Sequence, residues 1–205
     1  MRDTGHIVLT FTEEQIQALL RQPDLATFTG YRDYTIMHIL LDTGVRIGEL
    51  LAVQLDDLVI ELGIPQEIKI KQPKNRKERV LPLSPKTQAV LRQYLEIRKT
   101  AFAGLKVPFL FPNVDCGKLH IRTIQGRIKE YGQGAAIDCV RVSPHTFRHT
   151  FAKMWVMAEG DILSLQEILG HSSVEMVRNY ARLFRPDLKK KHARYSPFST
   201  MGALQ

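Results

Sequence analysis

The N-terminal part of the chain repeats its apolar positions at the spacing that is typical of amphipathic helices. Thr12-Glu13-Glu14-Gln15 has the capping-box pattern and predicts a helix that continues to Leu20. Apolar residues between Tyr31 and Asp42 predict a buried second helix, which Gly44 is expected to end. The segment from Arg46 to Val53 predicts a third helix.

Between Leu58 and Leu83 the pattern changes from helical to alternating. One short apolar run contains Ile68 and Ile70, and a second contains Val80, Leu81 and Leu83. The residues between these runs, 71–79, are strongly basic. This arrangement predicts a β-hairpin with a long basic turn.

The rest of the chain predicts further helices separated by short loops. Ser84-Pro85 and Ser143-Pro144 each place a capping serine before a proline, which is typical of a helix start. Five helices are predicted here. One begins at Pro85, a second runs from about His120 to Tyr131, and a third from Pro144 to about Glu159. A fourth lies between Asp161 and Gly170, and a fifth begins near Ser172. The pattern therefore predicts a mostly α fold with one small antiparallel β-sheet, of class α+β.

Composition favours a polyanionic partner. The chain has 29 Lys and Arg against 21 Asp and Glu, a net charge of +8 and a pI near 9.6. Such a balance suits nucleic acid or an anionic membrane surface. No apolar run approaches the roughly 18–20 residues of a spanning helix, and the first residues lack the apolar core of a signal peptide. Cys116 and Cys139 are expected to be reduced thiols rather than a disulfide.

The strongest chemical signal is a tyrosine preceded by several cationic side chains. A phenol has a pKa of about 10, so its attack needs cations that stabilise the charge developing on its target. Two arginines, two histidines and a lysine around one tyrosine suit attack on a phosphodiester. The candidate residues are Arg46, Lys74, His145, Arg148, His171 and Tyr180.

Each of these residues also has a purely structural explanation. Glu49, three residues after Arg46, either neutralises that arginine or orients it toward a phosphate, and the sequence leaves both open. The spacing of His145 and His149 does not show which of the two histidines is functional. A basic turn is commonly a solvated loop. The presence of all these residues together, in this order along the chain, favours DNA strand cleavage over the structural explanations.

These motifs resemble the catalytic domain of the tyrosine recombinases, also called the phage integrase family. The matching segments are Thr43-Gly44-x-Arg46-x-x-Glu49-Leu50, the hairpin segment 74–83, His145-x-x-Arg148-His149-Thr150, and Leu169-Gly170-His171-Ser172-Ser173 followed by Tyr180. The resemblance covers roughly residues 10–195. It implies an integrase-like catalytic core that cleaves and rejoins double-stranded DNA through a 3′-phosphotyrosyl intermediate, without metal, ATP or another cofactor.

The resemblance also implies individual roles. Tyr180 is the nucleophile, and Arg46 and Arg148 neutralise the non-bridging oxygens of the transition state. His145 assists proton transfer from the tyrosine, and His171 hydrogen-bonds the phosphate. His149 belongs to the motif and is expected to be structural.

The general acid for the departing 5′-oxygen is expected to be a lysine of the basic turn. The motif selects Lys74, while Lys71 and Lys77 lie in or beside the same turn and stay open.

The domain organisation expected from the resemblance is a linker remnant at residues 1–10, a catalytic domain at 11–185 and a basic tail at 186–205. Family members usually carry an N-terminal domain that clamps the other face of the DNA. That domain is expected to be missing here, either because the sequence is a fragment or because it is a minimal family member. Weak, salt-dependent DNA binding is therefore expected from the chain alone. The tail could pack on a neighbouring protomer in a homo-tetramer on DNA, with a monomer in solution.

Three other functions compete with recombination. A type IB topoisomerase would use similar chemistry, and a DNA-binding protein without catalysis would use the same basic surface. A metal-dependent hydrolase would need clustered His and carboxylate ligands, which the sequence lacks. The expected location is the bacterial cytoplasm, on nucleoid DNA. Target sequence, recombination outcome and accessory partners cannot be read from the sequence.

Overall fold

The computed structural model describes residues 9–71, 78–170, 192–194 and 196–197. It divides into two compact units, with the boundary between Phe151 and Ala152, and each unit is described by itself. In chain order the elements are α1 (Glu13–Leu20), α2 (Phe28–Thr43), α3 (Ile47–Leu50), β1 (Leu58–Glu61), β2 (Ile64–Lys71), β3 (Glu78–Pro82), α4 (Pro85–Ala101), α5 (Ile121–Gly134), α6 (Pro144–Met157) and α7 (Ile162–Leu169).

The first two helices form where the sequence predicts them. The Thr12 hydroxyl accepts a hydrogen bond from the Gln15 backbone amide, and the Gln15 side-chain oxygen accepts one from the Thr12 backbone amide, which completes the capping box of α1. Helix α2 begins at Phe28, earlier than the predicted Tyr31, because the Thr27 side chain caps it. Gly44 caps its C-terminal end, and glycine adopts this positive φ of 61° more readily than residues with a Cβ atom.

The third helix is much shorter than the prediction of Arg46 to Val53, because α3 ends at Leu50. The backbone beyond it pairs with a distant loop instead of continuing the helix. The Val53 carbonyl accepts a hydrogen bond from the Leu110 amide at 2.9 Å, and the Leu55 amide donates to the Pro108 carbonyl at 2.9 Å. Tertiary backbone pairing therefore overrides the local helical pattern.

The sheet has three antiparallel strands in the order β1-β2-β3, one strand more than the predicted hairpin. Strand β1 is short and largely exposed, so it lacks the apolar alternation by which β2 and β3 are found. A tight turn at Leu62-Gly63, with both φ values positive, joins β1 to β2. Ile68 pairs with Leu81, and Ile70 pairs with Arg79. The basic turn at 72–77 lies outside the described residues.

Helices α4 and α5 complete the unit that ends at Phe151. Ser84 caps α4 as predicted, and α5 continues past the predicted Tyr131 to Gly134. The Arg98 guanidinium, buried at the end of α4, donates to the carbonyls of Val107, Phe109 and Leu110, which fixes the following loop.

The apolar core of this unit lies between α2, α4 and the sheet. Helix α2 packs against α4, and α4 packs against β2. The Tyr94 ring lies 5.2 Å from that of Phe111 and 6.1 Å from that of Phe28. The predicted fold class, mostly helical with a small antiparallel sheet, is confirmed.

Helix α6 crosses the unit boundary, and α7 lies in the second unit. Helix α6 ends at Met157, slightly before the predicted Glu159. The Asp161 side chain caps α7 by accepting from the Ser164 amide at 2.7 Å, and Gly170 follows its last turn, both as predicted. The predicted helix with Tyr180 and most of the basic tail lie outside the described residues.

Two further sequence expectations concern cysteines and the membrane. Cys116 and Cys139 are both free thiols. Within the described part of the chain, every helix is too short or too polar to cross a bilayer.

Burial of His38 in α2 makes the stability of this unit depend on pH. Its side chain is 5% exposed, and its Nε2 has no hydrogen-bond partner among the described residues. Burial, reinforced by the charge of Lys86 and opposed by that of Asp42, lowers the pKa of His38 to about 4. Between pH 6.5 and pH 4, the His38 side chain therefore binds a proton more readily in the unfolded chain than in the folded one.

We predict that His38 accounts for a loss of about 1–2 kcal/mol in the free energy of unfolding as the pH falls from 7 to 5. Urea unfolding of His38→Gln at both pH values should show a correspondingly smaller loss than the wild type. His120→Gln, at an exposed histidine, is the matched control and should behave as the wild type does. Equal losses in all three proteins would contradict the prediction.

Candidate active site

Arg46 is held at a sharp change of chain direction between two helices. Gly44 ends α2, and Arg46 has the extended backbone of the residue that precedes α3. Glu49, in the first turn of α3, accepts a hydrogen bond from the Arg46 amide at 3.3 Å. The same carboxylate accepts from Nη1 of the Arg46 side chain at 3.3 Å. Glu49 therefore binds both the backbone amide and the guanidinium of Arg46.

The Glu49 carboxylate also binds a second arginine from the sheet. Nη1 of Arg79 donates to Oε1 at 3.2 Å, and Nη2 donates to Oε2 at 2.6 Å. Burial favours a higher pKa for Glu49, but the hydrogen bonds and charges of Arg79 and Arg46 outweigh it and lower the pKa. Glu49 is therefore ionised at neutral pH and shared by two guanidinium groups.

Arg148 brings a third guanidinium to the same place. It lies in α6, its side chain is 6% exposed, and Nη1 donates to the Gly44 carbonyl at 2.6 Å. Burial and the nearby charge of Arg46 lower the pKa of Arg148 to about 10, with Arg79 adding to the effect and Glu49 opposing it. Arg148 stays protonated at pH 7, and a bound anion would stabilise its charge.

These four side chains, which we call the arginine cluster, are Arg46, Glu49, Arg79 and Arg148. Among the described residues, three cations face one carboxylate, so the cluster carries an excess of positive charge on partly buried groups. Guanidinium groups bind the oxygens of phosphate through a planar fork of donors. The cluster is therefore suited to an oxyanion such as a phosphodiester.

The two histidines of α6 lie near the cluster. His145 is exposed and falls one helical turn before Arg148. His149 is half-buried, and burial lowers its pKa, with His145 and Arg148 adding to the effect. His149 is consequently neutral at pH 7. Its burial agrees with the structural role expected for it, while His145 is accessible to a ligand.

One of the three candidate lysines already has a partner. The Lys71 ammonium forms an ion pair with the buried carboxylate of Asp57, which also accepts from the Gln54 amide at 2.9 Å. The hydrogen bond and charge of Asp57 raise the pKa of Lys71. A higher pKa makes Lys71 a weaker acid.

The structure thus brings Arg46 and Arg148 together, with His145 on the same helix face as Arg148. Lys74, Lys77, His171 and Tyr180 lie outside the described residues. Arg79 was not among the candidate residues. Its position two residues before the buried Leu81 on β3 was the available signal, because alternate residues of a strand share a face.

The sequence matches known proteins over most of its length. Residues 10–185 match the phage integrase family. Tyrosine recombinase XerD of Pseudomonas aeruginosa is 32% identical over 189 residues, which are 92% of this chain and 62% of that protein. Tyrosine recombinase XerC of Chlamydia caviae is 30% identical over 188 residues, 92% of this chain and 59% of that protein. The chain spans about three fifths of the length of these curated relatives.

Solved structures share the fold. The XerA recombinase superposes with a TM-score of 0.73 at 28% identity, over 94% of this chain and 66% of that one. The catalytic domain of bacteriophage HP1 integrase superposes with a TM-score of 0.66 at 26% identity, over 94% of this chain and 97% of that one. The expected integrase-like core is confirmed: by sequence and by fold, the chain belongs to the phage integrase family of tyrosine recombinases.

Proposed function

We propose that this chain is the catalytic domain of a site-specific DNA recombinase that cleaves and rejoins strands through a 3′-phosphotyrosyl intermediate. The observation that carries the proposal is the arginine cluster, in which Arg46 and Arg148 converge beside one carboxylate. Relatives named tyrosine recombinases, such as XerD of Pseudomonas aeruginosa, support the same reaction. The partner is double-stranded DNA, bound in the bacterial cytoplasm by a homo-tetramer.

In this reaction the cluster stabilises the transition state. The Tyr180 oxygen attacks the phosphorus, and the bond to the 5′-oxygen breaks. Arg46 and Arg148 neutralise the charge on the non-bridging oxygens of the five-coordinate phosphorus. Fixed, partly buried cations are effective here because they need no reorganisation as charge develops. His145 assists removal of the tyrosine proton, and His171 hydrogen-bonds the phosphate.

The exchange of one ester for another conserves the energy of the phosphodiester. The free 5′-hydroxyl of a second strand reverses the attack and releases Tyr180. The chemistry described for these side chains requires no ATP and no cofactor. Positioning and charge stabilisation dominate phosphoryl transfer, and the arginines supply both.

The tyrosines of the first unit are engaged elsewhere, which favours Tyr180 as the nucleophile. The Tyr94 hydroxyl donates to the Leu110 carbonyl at 2.9 Å in the core. The Tyr131 hydroxyl donates to the buried Asp33, and burial together with Asp33 raises the pKa of Tyr131 to about 12. Tyr31 is buried, and Tyr34 packs against Tyr31 and His38.

The ion pair of Lys71 favours another lysine as the general acid. A lysine that protonates the departing 5′-oxygen must reach the phosphate and give up its proton. Lys71 is held by Asp57, which also makes its proton harder to release. Of the three candidate lysines, Lys74 and Lys77 therefore remain for the role of general acid, and the family motif selects Lys74.

We predict that the chain forms an SDS-resistant adduct with nicked suicide DNA in the presence of EDTA and that Tyr180→Phe does not. In such a substrate the cleaved fragment diffuses away, so the covalent intermediate accumulates. Tyr131→Phe is the matched control and should retain adduct formation, because its hydroxyl faces Asp33. Gel separation of labelled DNA measures the adduct.

Two results would contradict the proposed function. The first is an adduct that persists in Tyr180→Phe. The second is the absence of any adduct although the wild-type chain binds the DNA at low salt.

We predict that Lys74→Gln reduces cleavage by about 10²–10⁴-fold, the usual contribution of a general acid. The loss should largely disappear on DNA with sulfur in place of the scissile 5′-oxygen. A thiol has a pKa of about 8.5, so a departing thiolate needs no proton. Lys71→Gln and Lys77→Gln are matched controls and should cleave both substrates at nearly the wild-type rate. Selective rescue of Lys77→Gln or Lys71→Gln by the sulfur substrate would contradict the assignment.

A further inference from the structure

Arg79 occupies a position in the sheet that normally holds an apolar side chain. Directly opposed residues of antiparallel strands share a face, and Arg79 pairs with Ile70 while Leu81 pairs with Ile68. Ile68, Ile70 and Leu81 are all buried in the core. The Arg79 side chain therefore points inward with them and is only 9% exposed.

An inward arginine needs an anion, and Glu49 supplies it. The two side chains form a bidentate ion pair, with one contact at 2.6 Å and the other at 3.2 Å. The contact between the Arg46 side chain and Glu49 is longer, 3.3 Å, and Arg46 is 34% exposed. Of the two arginines that share this carboxylate, Arg79 thus makes the closer contact with it.

We infer that Arg79 is a positioning residue for DNA cleavage, which fixes the Glu49 carboxylate so that Arg46 presents its guanidinium to the scissile phosphate. The inference rests on the proposed function. Arg79 need not contact DNA in this role; it acts through Glu49 on Arg46.

Competition for one carboxylate is the physical basis of this role. Without Arg79, both Glu49 oxygens become available to Arg46, which lies three residues away on the same turn. A closer Glu49–Arg46 pair would neutralise Arg46 and draw it from the phosphate. The excess positive charge of the cluster would fall at the same time.

Arg79 also connects two parts of the fold. It lies on β3, and its partner Glu49 lies on α3. The ion pair therefore ties this strand to the helix that orients Arg46. A displacement of about 1 Å in a reacting group can cost 10²-fold in rate, so such a tie matters for catalysis.

The test replaces Arg79 in the full chain by Met, which keeps the length of the side chain, and by Lys, which keeps its charge. Single-turnover cleavage of suicide DNA by Arg79→Met should be about 10–100-fold slower than by the wild type. Arg79→Lys should stay at least about tenfold slower, because one ammonium cannot replace the planar fork. Low-salt DNA binding and the midpoint of thermal unfolding are measured on the same samples. Arg92→Met, at an exposed arginine of α4, is the control and should cleave normally.

Coupling to Arg46 separates positioning from a general structural effect. The Arg79→Met change is repeated on an Arg46→Ala background, which already lacks the group that Arg79 is inferred to orient. Interacting residues give non-additive effects in such a cycle. Arg79→Met should then slow cleavage by less than about threefold further, while DNA binding stays within about threefold throughout.

Three outcomes would overturn the inference while leaving the proposed function intact: normal cleavage by both Arg79 variants, an equal loss on both backgrounds, or unfolding of both variants at the assay temperature. The last would make the ion pair structural. Failure of the wild-type chain to cleave DNA that it binds would instead remove the proposed function, and the inference with it.

Discussion

The site depends on one carboxylate that lies among three guanidinium groups. Glu49 binds Arg46 and Arg79 directly, and its charge partly offsets the repulsion between these groups and the buried Arg148. Without this carboxylate, repulsion between the like charges of the arginines would force the side chains apart or into solvent. One carboxylate against three cations holds the arginines in place and still leaves an excess of positive charge for an incoming phosphate. A second acid in the cluster would halve that excess.

The fold supplies this arrangement from three separate parts of the chain. The left-handed backbone of Gly44 ends α2 and turns the chain so that Arg46 precedes α3, while its carbonyl accepts from Arg148 on α6. The register of β2 with β3 turns Arg79 inward. Buried arginine positions are thus secured by backbone geometry as well as by charge, which limits their motion when a substrate binds. This agrees with catalysis by preorganised electrostatics.

Sequence was sufficient for the parts of the site whose determinants are local. The helix ends at Thr12, Gly44, Ser84 and Asp161 follow from capping chemistry, and the motif residues Arg46 and Arg148 do lie together.

Arg79 was missed because its inward orientation is set by strand register and by Glu49, thirty residues away. The early end of α3 was missed for the same kind of reason, since Val53 pairs with Leu110. The partner of Lys71 also depends on a distant residue, Asp57. Lys74, His171 and Tyr180 rest on the motifs and stay predictions.

If the arginine cluster serves attack by Tyr180 on a DNA phosphate, as we propose, the covalent bond to DNA forms at Tyr180, and locating that bond is the most direct test. The adduct from suicide DNA would be digested with nuclease and trypsin, and the peptides analysed by mass spectrometry. Trypsin should release Tyr180 within the short peptide Asn179–Arg182 and should place Tyr195 in a separate peptide. We expect Asn179–Arg182 to carry a nucleotide attached through its 3′-phosphate. A nucleotide on any other peptide, or one attached through a 5′-phosphate, would contradict it.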